Sequence, residues 1–290
     1  MPSQAGAQLA FMAQSDQLNG REPPSRLDGG RFLRRTGQIA QALAVLGLIG
    51  WLVWAGIDQL EYRWQWYRVE PFFYKVIDGE VIWGPLVRGL IMTLKIAVIA
   101  GVLAVLIGFL TALARMSGSF AGRVIATAYL EAIRNTPLLV QLFLVYFVLA
   151  PIIGIDRFWA GVLCLAFFEG SFAAEIIRGG LRGVDRGQVE AARATGLTTT
   201  DCYRFVIVPQ AMPLILPPLT GLMISTIKHS AIVSVIALAE LTTQALNLIA
   251  STFMAFEIWF ITAGIYLALT ISLSFAVTIF EWRLNKPRRS

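Results

Sequence analysis

Five polar side chains set in stretches otherwise made of hydrocarbon are the residues of this sequence that could do chemistry. Glu169, Ser171 and Glu175 lie within Glu169-Gly170-Ser171-Phe172-Ala173-Ala174-Glu175, and Lys228 and Ser230 within Lys228-His229-Ser230-Ala231. Charge in hydrocarbon is costly and has to face protein or water, so these five are candidates to line a path for a charged solute. A carboxylate suits an ammonium or a cationic side chain, and a lysine suits a carboxylate. Structural uses compete. Glu175 and Arg178 have the i,i+3 spacing of a helical ion pair, and Lys228 can neutralise a substrate or an acid such as Glu169. If Pro217 opens its helix, Lys228 lies about 16 Å further along, too deep for easy snorkelling. His229 reads as a hydrogen-bonded packing residue. This is the chemistry of binding and passage. No nucleophile–base set can be assembled, and one histidine makes no metal constellation. None of Lys75, Lys95, Lys228 and Lys286 sits in a phosphate-binding Walker sequence.

A second group of residues has the makings of a docking element. Glu190-Ala191-Ala192-Arg193-Ala194-Thr195-Gly196 is short, charged and alanine-rich between two long apolar runs. The alanines favour a helix that could seat deeply in a groove, and Gly196 suits the left-handed position that ends one. Thr198 with Asp201 reads as a capping box opening a second helix, which Pro209 is expected to interrupt. A helix–Gly–helix elbow of this kind would suit a soluble subunit; an ordinary amphipathic interfacial helix is the alternative.

The elements that position these residues are membrane spans. The chain is 57% hydrophobic and 14% charged, with mean hydropathy +0.67, more apolar than a soluble domain requires. Its net charge of +6 sits at the ends of apolar runs, where topology and anionic lipid explain it without nucleic acid. Residues 1–37 read as a disordered cytoplasmic tail. Residues 38–85 hold a first span, about 39–57, and an outer loop with the interfacial cluster Trp64, Trp66, Tyr67, Phe72, Phe73 and Tyr74. Residues 86–283 form the core, with spans near 86–114, 137–151, 158–178, 217–238 and 255–282, and 284–290 a basic tail. The arginines of the loop after the fourth span are the strongest positive-inside signal. The fold expected is all-α, with about six transmembrane helices and both termini cytoplasmic. Cys164 and Cys202 are expected to be free thiols.

The elbow also carries a family resemblance. Glu-Ala-Ala, three residues, Gly, nine residues, then Val206-Ile207-Val208-Pro209 resembles the signature loop of permease subunits of bacterial ABC importers. Val206 and Val208 depart conservatively from its usual Ile-x-Leu-Pro ending. Arg134-Asn135-Thr136-Pro137-Leu138-Leu139-Val140-Gln141, Ala174-Glu175-Ile176-Ile177-Arg178-Gly179-Gly180, and Lys228-His229-Ser230-Ala231 before Ser234-Val235-Ile236 are similar to segments of the polar amino-acid permeases. Ala231 and Glu169 depart from the residues usual there. The resemblance covers about residues 86–282. It implies the type I importer permease fold in a bacterial inner membrane, with Glu190, Ala191, Ala192, Gly196 and Pro209 in a coupling helix pressed on an ATPase. It implies three partners: an ATP-binding subunit dimer that binds ATP and Mg, a second permease, same or homologous, and a periplasmic amino-acid-binding protein. This chain itself would hold no cofactor or metal. The rival is an ion-coupled secondary amino-acid transporter, which intramembrane Glu and Lys also suit.

Overall fold

The computed structural model describes residues 28–58 and 62–284. Two compact units divide the chain after Trp64. In the first, one helix, α1 (Asp28–Asp58), carries the apolar stretch Ala40–Leu52. It begins at Asp28, within the segment expected to be a disordered tail; the rest of that tail and residues 285–290 lie outside the described residues.

The second unit opens with a single 3-10 turn (Trp66–Arg68), the short helix α2 (Glu70–Phe73) and an antiparallel hairpin of β1 (Tyr74–Ile77) and β2 (Glu80–Trp83), in which Tyr74 faces Trp83 and Ile77 faces Glu80. The hairpin turns at Asp78 and Gly79, both at positive φ, a pairing type I′ turns favour. The expected aromatic loop is thus partly ordered as a ribbon, whose side chains are all exposed.

The remaining chain is helical: α3 (Pro85–Met116), α4 (Phe120–Arg134), α5 (Leu138–Phe143), α6 (Ala150–Ile153), α7 (Arg157–Arg182), α8 (Arg186–Ala194), α9 (Thr199–Asp201), α10 (Val208–His229), α11 (Leu241–Thr252) and α12 (Ala255–Leu284). Among the described residues four unbroken helical stretches are long and apolar enough to cross a membrane, namely Pro85–Met116, Arg157–Arg182, Thr199–Ile236 and Ala255–Ile279. The pair α4 and Leu138–Ile153, bent by 107°, makes a fifth candidate. The third expected span is therefore the short arm of a bend rather than a free-standing rod.

Two prolines that should stop helices do not. Leu144–Leu149 and Cys202–Ile207 are π turns, each followed two residues later by proline, Pro151 and Pro209. Ala150 N–H donates to Val145 and Val208 N–H to Tyr203, each five residues back. A proline ring clashes with the carbonyl four residues before it, here Phe147 and Phe205. Widening that turn to i→i−5 bonding relieves the clash and carries the helix on. Pro209 is accordingly not the expected terminator. Pro213, Pro217 and Pro218 lie inside α10, so the fifth span starts well before them.

Helices α3 and α7 form the central pair. A Cβ built on Gly108 would lie 2.5 Å from the Ala173 Cβ and 2.9 Å from its carbonyl carbon, so only glycine allows this approach. Close backbone contact through small residues is how helices associate where lipid is as apolar as the side chains. Ile96, Leu142, Val162, Leu165 and Val233 fill the core beside them, and α10 reaches α7 through Ile215, seated over Gly180.

Candidate functional site

The elbow forms as its local chemistry demands. Asp185 caps α8 by accepting from the Gly187 N–H at 2.7 Å. Gly196 takes φ +84° with open space around it, and Thr198 Oγ1 accepts from the Asp201 N–H at 3.2 Å while donating to its carboxylate at 2.6 Å. Glu190, Ala191 and Gly196 are exposed, as is Pro209 beyond the π turn, while Ala192 packs inward. The result is a short helix projecting a charged, small-residue face.

Helix α7 carries the two carboxylates, six residues apart, in different surroundings. Glu175 sits among three arginines. Arg115 at the end of α3 bonds Oε1, Arg178 bonds Oε2 at 2.5 and 3.1 Å, and Arg134 at the end of α4 stands 3.8 Å away. The i,i+3 partner was legible; Arg115 and Arg134 had no sequence signal. The Arg134 guanidinium also lies over the Phe172 ring, 5.7 Å from its centroid.

Glu169 is buried and meets His229, whose Nδ1 lies 2.6 Å from Oε1. A carboxylate accepts, so Nδ1–H donates and Nε2 is left as the second ring nitrogen. The His229 ring stands edge-on to Phe168 at 5.8 Å. These side chains open on a hollow of about 270 Å³ lined by Glu169, Phe172, Ile176, Pro218, Ser225 and His229, among others. Lys228 is not the partner of Glu169. It is exposed on α10, because consecutive helical residues point about 100° apart, and no acid pairs with it among the described residues. Ser171 and Ser230 are buried and spend their hydroxyls on the carbonyls of Phe168 and Ile227 at 2.7 Å; neither lines the hollow.

Two further polar groups were not anticipated. Gln141 donates to the carbonyls of Ile133 and Thr136 at 2.7 and 2.9 Å, satisfying the open end of α4 at the bend. Glu240 is fully buried and caps α11 through the N–H groups of Thr242 and Thr243, with the Tyr266 hydroxyl donating at 3.0 Å. The Lys95 ammonium lies over the Phe158 ring, 5.0 Å from its centroid. Cys164 and Cys202 are free and buried.

Comparison with known proteins follows the same outline. Residues 104–286 match the family described as binding-protein-dependent transport system inner membrane component. The glutamine transport system permease protein GlnP of Escherichia coli K12 is 37% identical over 214 residues, 72% of this chain and 98% of that protein. The arginine transport system permease protein ArtQ of Bacillus subtilis is 35% identical over 202 residues, 69% of this chain and 92% of that protein. Among solved structures, an amino acid ABC transporter with histidines shares 44% identity at TM-score 0.65, covering 69% of this chain and 94% of its own. The MetNI methionine ABC transporter, at 20% identity and TM-score 0.61 over 70% and 97%, is similar in fold.

Proposed function

Because this chain belongs to the family of binding-protein-dependent transport system inner membrane components, we propose that it is the permease subunit of an ATP-driven importer of polar amino acids. It is a multi-pass inner-membrane protein with a transport role. The finer reading adds its partners: a dimer of ATP-binding subunits holding ATP and Mg, a second permease, and a periplasmic amino-acid-binding protein. Both termini and the elbow face the cytoplasm in this reading. Residues Glu190, Ala191, Ala192 and Gly196 press on the ATPase, and Pro209 lies in the rod that carries the motion onward.

The observation that supports the reading is the exposed elbow joined without interruption to the helix lining the hollow. From Thr199, the far arm of the elbow, to Ile236 one helical stretch reaches Ser225 and His229, and the face of Glu190–Gly196 joins it through the turn at Gly196. Push on one end is therefore transmitted to the other. In the hollow, Glu169 and His229 supply charge and a hydrogen-bonding nitrogen to a polar solute, while Lys228 sits on the adjoining face of α10. Glu175, Ser171 and Ser230 act around that path through packing and ion pairs. A secondary transporter is the weaker reading, since a docking elbow has no use in it.

Tagging the chain in its native membrane, solubilising gently and identifying what co-purifies tests the reading. An ATP-binding subunit is expected, lost with Glu190→Arg. A lone chain that transports by itself and stops with an uncoupler would overturn it.

A further inference from the structure

The β1–β2 ribbon leaves all its side chains exposed, and a hairpin of two strands is marginal in water when nothing covers a face. Its two faces differ in chemistry. Opposed residues share a face, so the pairs Tyr74–Trp83 and Val76–Val81 line one side, and Lys75–Ile82 and Ile77–Glu80 the other. The first side carries no charge, although Tyr74 is 40%, Val76 61%, Val81 54% and Trp83 55% exposed. Both charged strand residues, Lys75 and Glu80, lie on the second side, and Asp78 is in the turn. Apolar and charged residues divided in this way suit an element that lies along a membrane surface.

The chain fixes where the ribbon sits. β2 ends at Trp83 and α3 begins at Pro85, so Gly84 alone separates the Tyr74–Trp83 rung from a membrane-crossing helix. At 32 residues, α3 is about 48 Å long and exceeds a hydrocarbon layer of about 30 Å. Its first turn also carries Arg88, which places the Pro85 end among the headgroups. The joint is tight. Gly84 N–H donates to the Phe73 carbonyl at 2.7 Å, and a Cβ on Gly84 would lie 2.2 Å from the Phe72 carbonyl oxygen. Phe72 and Phe73 pack in turn on the buried cluster of Leu86, Leu241 and Ile258. The ribbon is therefore held to the body at its base and cannot leave the membrane surface. We propose that the face of Tyr74, Val76, Val81 and Trp83 is a lipid-docking surface, seated at the boundary of headgroups and acyl chains at the Pro85 end of α3. Trp and Tyr favour that layer, and here they form the rung next to α3 while the valines extend the apolar area. The Tyr74 hydroxyl is held by Glu70, donating to its Oε1 at 2.9 Å. With no basic residue on the face, the attraction is apolar and owes nothing to anionic headgroups. The proposal needs α3 to cross a membrane and is independent of what the chain transports.

The test uses the full chain in phosphatidylcholine nanodiscs. Val76→Cys, Val81→Cys, Lys75→Cys and Ile82→Cys are made one at a time and labelled with a nitroxide. Cys164 and Cys202 are buried, and the unsubstituted chain gives their background. Relaxation of the label reports collisions with oxygen, which concentrates in lipid, and with a water-soluble nickel chelate. The oxygen-to-nickel ratio for Val76→Cys and Val81→Cys should exceed that for Lys75→Cys and Ile82→Cys severalfold. Added salt or anionic lipid should leave that difference unchanged. Equal ratios on the two faces, or the reverse order, would overturn the proposal. Labels on the apolar face shielded from both reagents would overturn it in favour of a protein neighbour, as would nickel access that closes only when an amino-acid-binding protein is added. A difference that appears only with anionic lipid would overturn the apolar account. None of these outcomes bears on co-purification with an ATPase, so the transport reading stands or falls separately.

Discussion

Glu175 and Glu169 share a helix, a side chain and a hydrocarbon setting, yet the structure uses them oppositely. Glu175 is saturated: three helices bring arginines to it, and both oxygens are occupied. Glu169 bonds His229 alone among the described residues and faces a hollow. A carboxylate that is fully paired contributes rigidity, whereas one held by a single imidazole beside open space retains capacity for a ligand. The number of fixed partners, rather than the presence of charge, separates a fastener from a site.

The comparison breaks most visibly at the fastener. Glu175→Ala leaves three guanidiniums together without their acid, and with about a quarter of the pair exposed the expected cost is about 2–3 kcal/mol, below that of a fully buried pair. Thermal melting of the purified complex should fall by several degrees; unchanged melting would mean the arginines find other partners. Glu169→Gln sharpens the contrast. Its amide oxygen can still accept from His229, so stability should move by less than about 1 kcal/mol. The half-saturating concentration for uptake in proteoliposomes should rise about tenfold through loss of the charge. Equal losses of melting temperature and uptake would erase the distinction between the two glutamates. The smallest effect is expected away from both. Thr198→Ala removes the cap on α9 at a cost of about 1 kcal/mol, weakening ATPase retention on washing without altering amino-acid preference. A changed preference would tie the elbow to the hollow more directly than a mechanical link does.

What could be read from the sequence was local. Gly196 in the left-handed region and the Thr198–Asp201 box are decided by residues within a few positions, as is the Glu175–Arg178 pair. The role proposed for the elbow rests on its resemblance as well as its chemistry. Arg115 and Arg134 reach Glu175 from 60 and about forty positions away (Arg115 by direct bond, Arg134 at 3.8 Å), and only packing joins them. His229, one residue on from Lys228 and so on a different face of the helix, is the residue that meets Glu169. Pro209 was misread because proline's clash with a preceding carbonyl has two remedies, ending the helix or widening it, and the sequence does not show which was taken.

The paired π turns have a consequence for descent. A π turn is an α-helix that has absorbed one additional residue, so the stretches on its two sides are rotated relative to one another from where an unbroken helix would set them. Insertion or loss of a residue within Cys202–Ile207 is thus a change of phase between the elbow and α10 that leaves both elements whole. Lineages can adjust how the elbow is aimed, by a single codon, while the residues lining the hollow stay as they were.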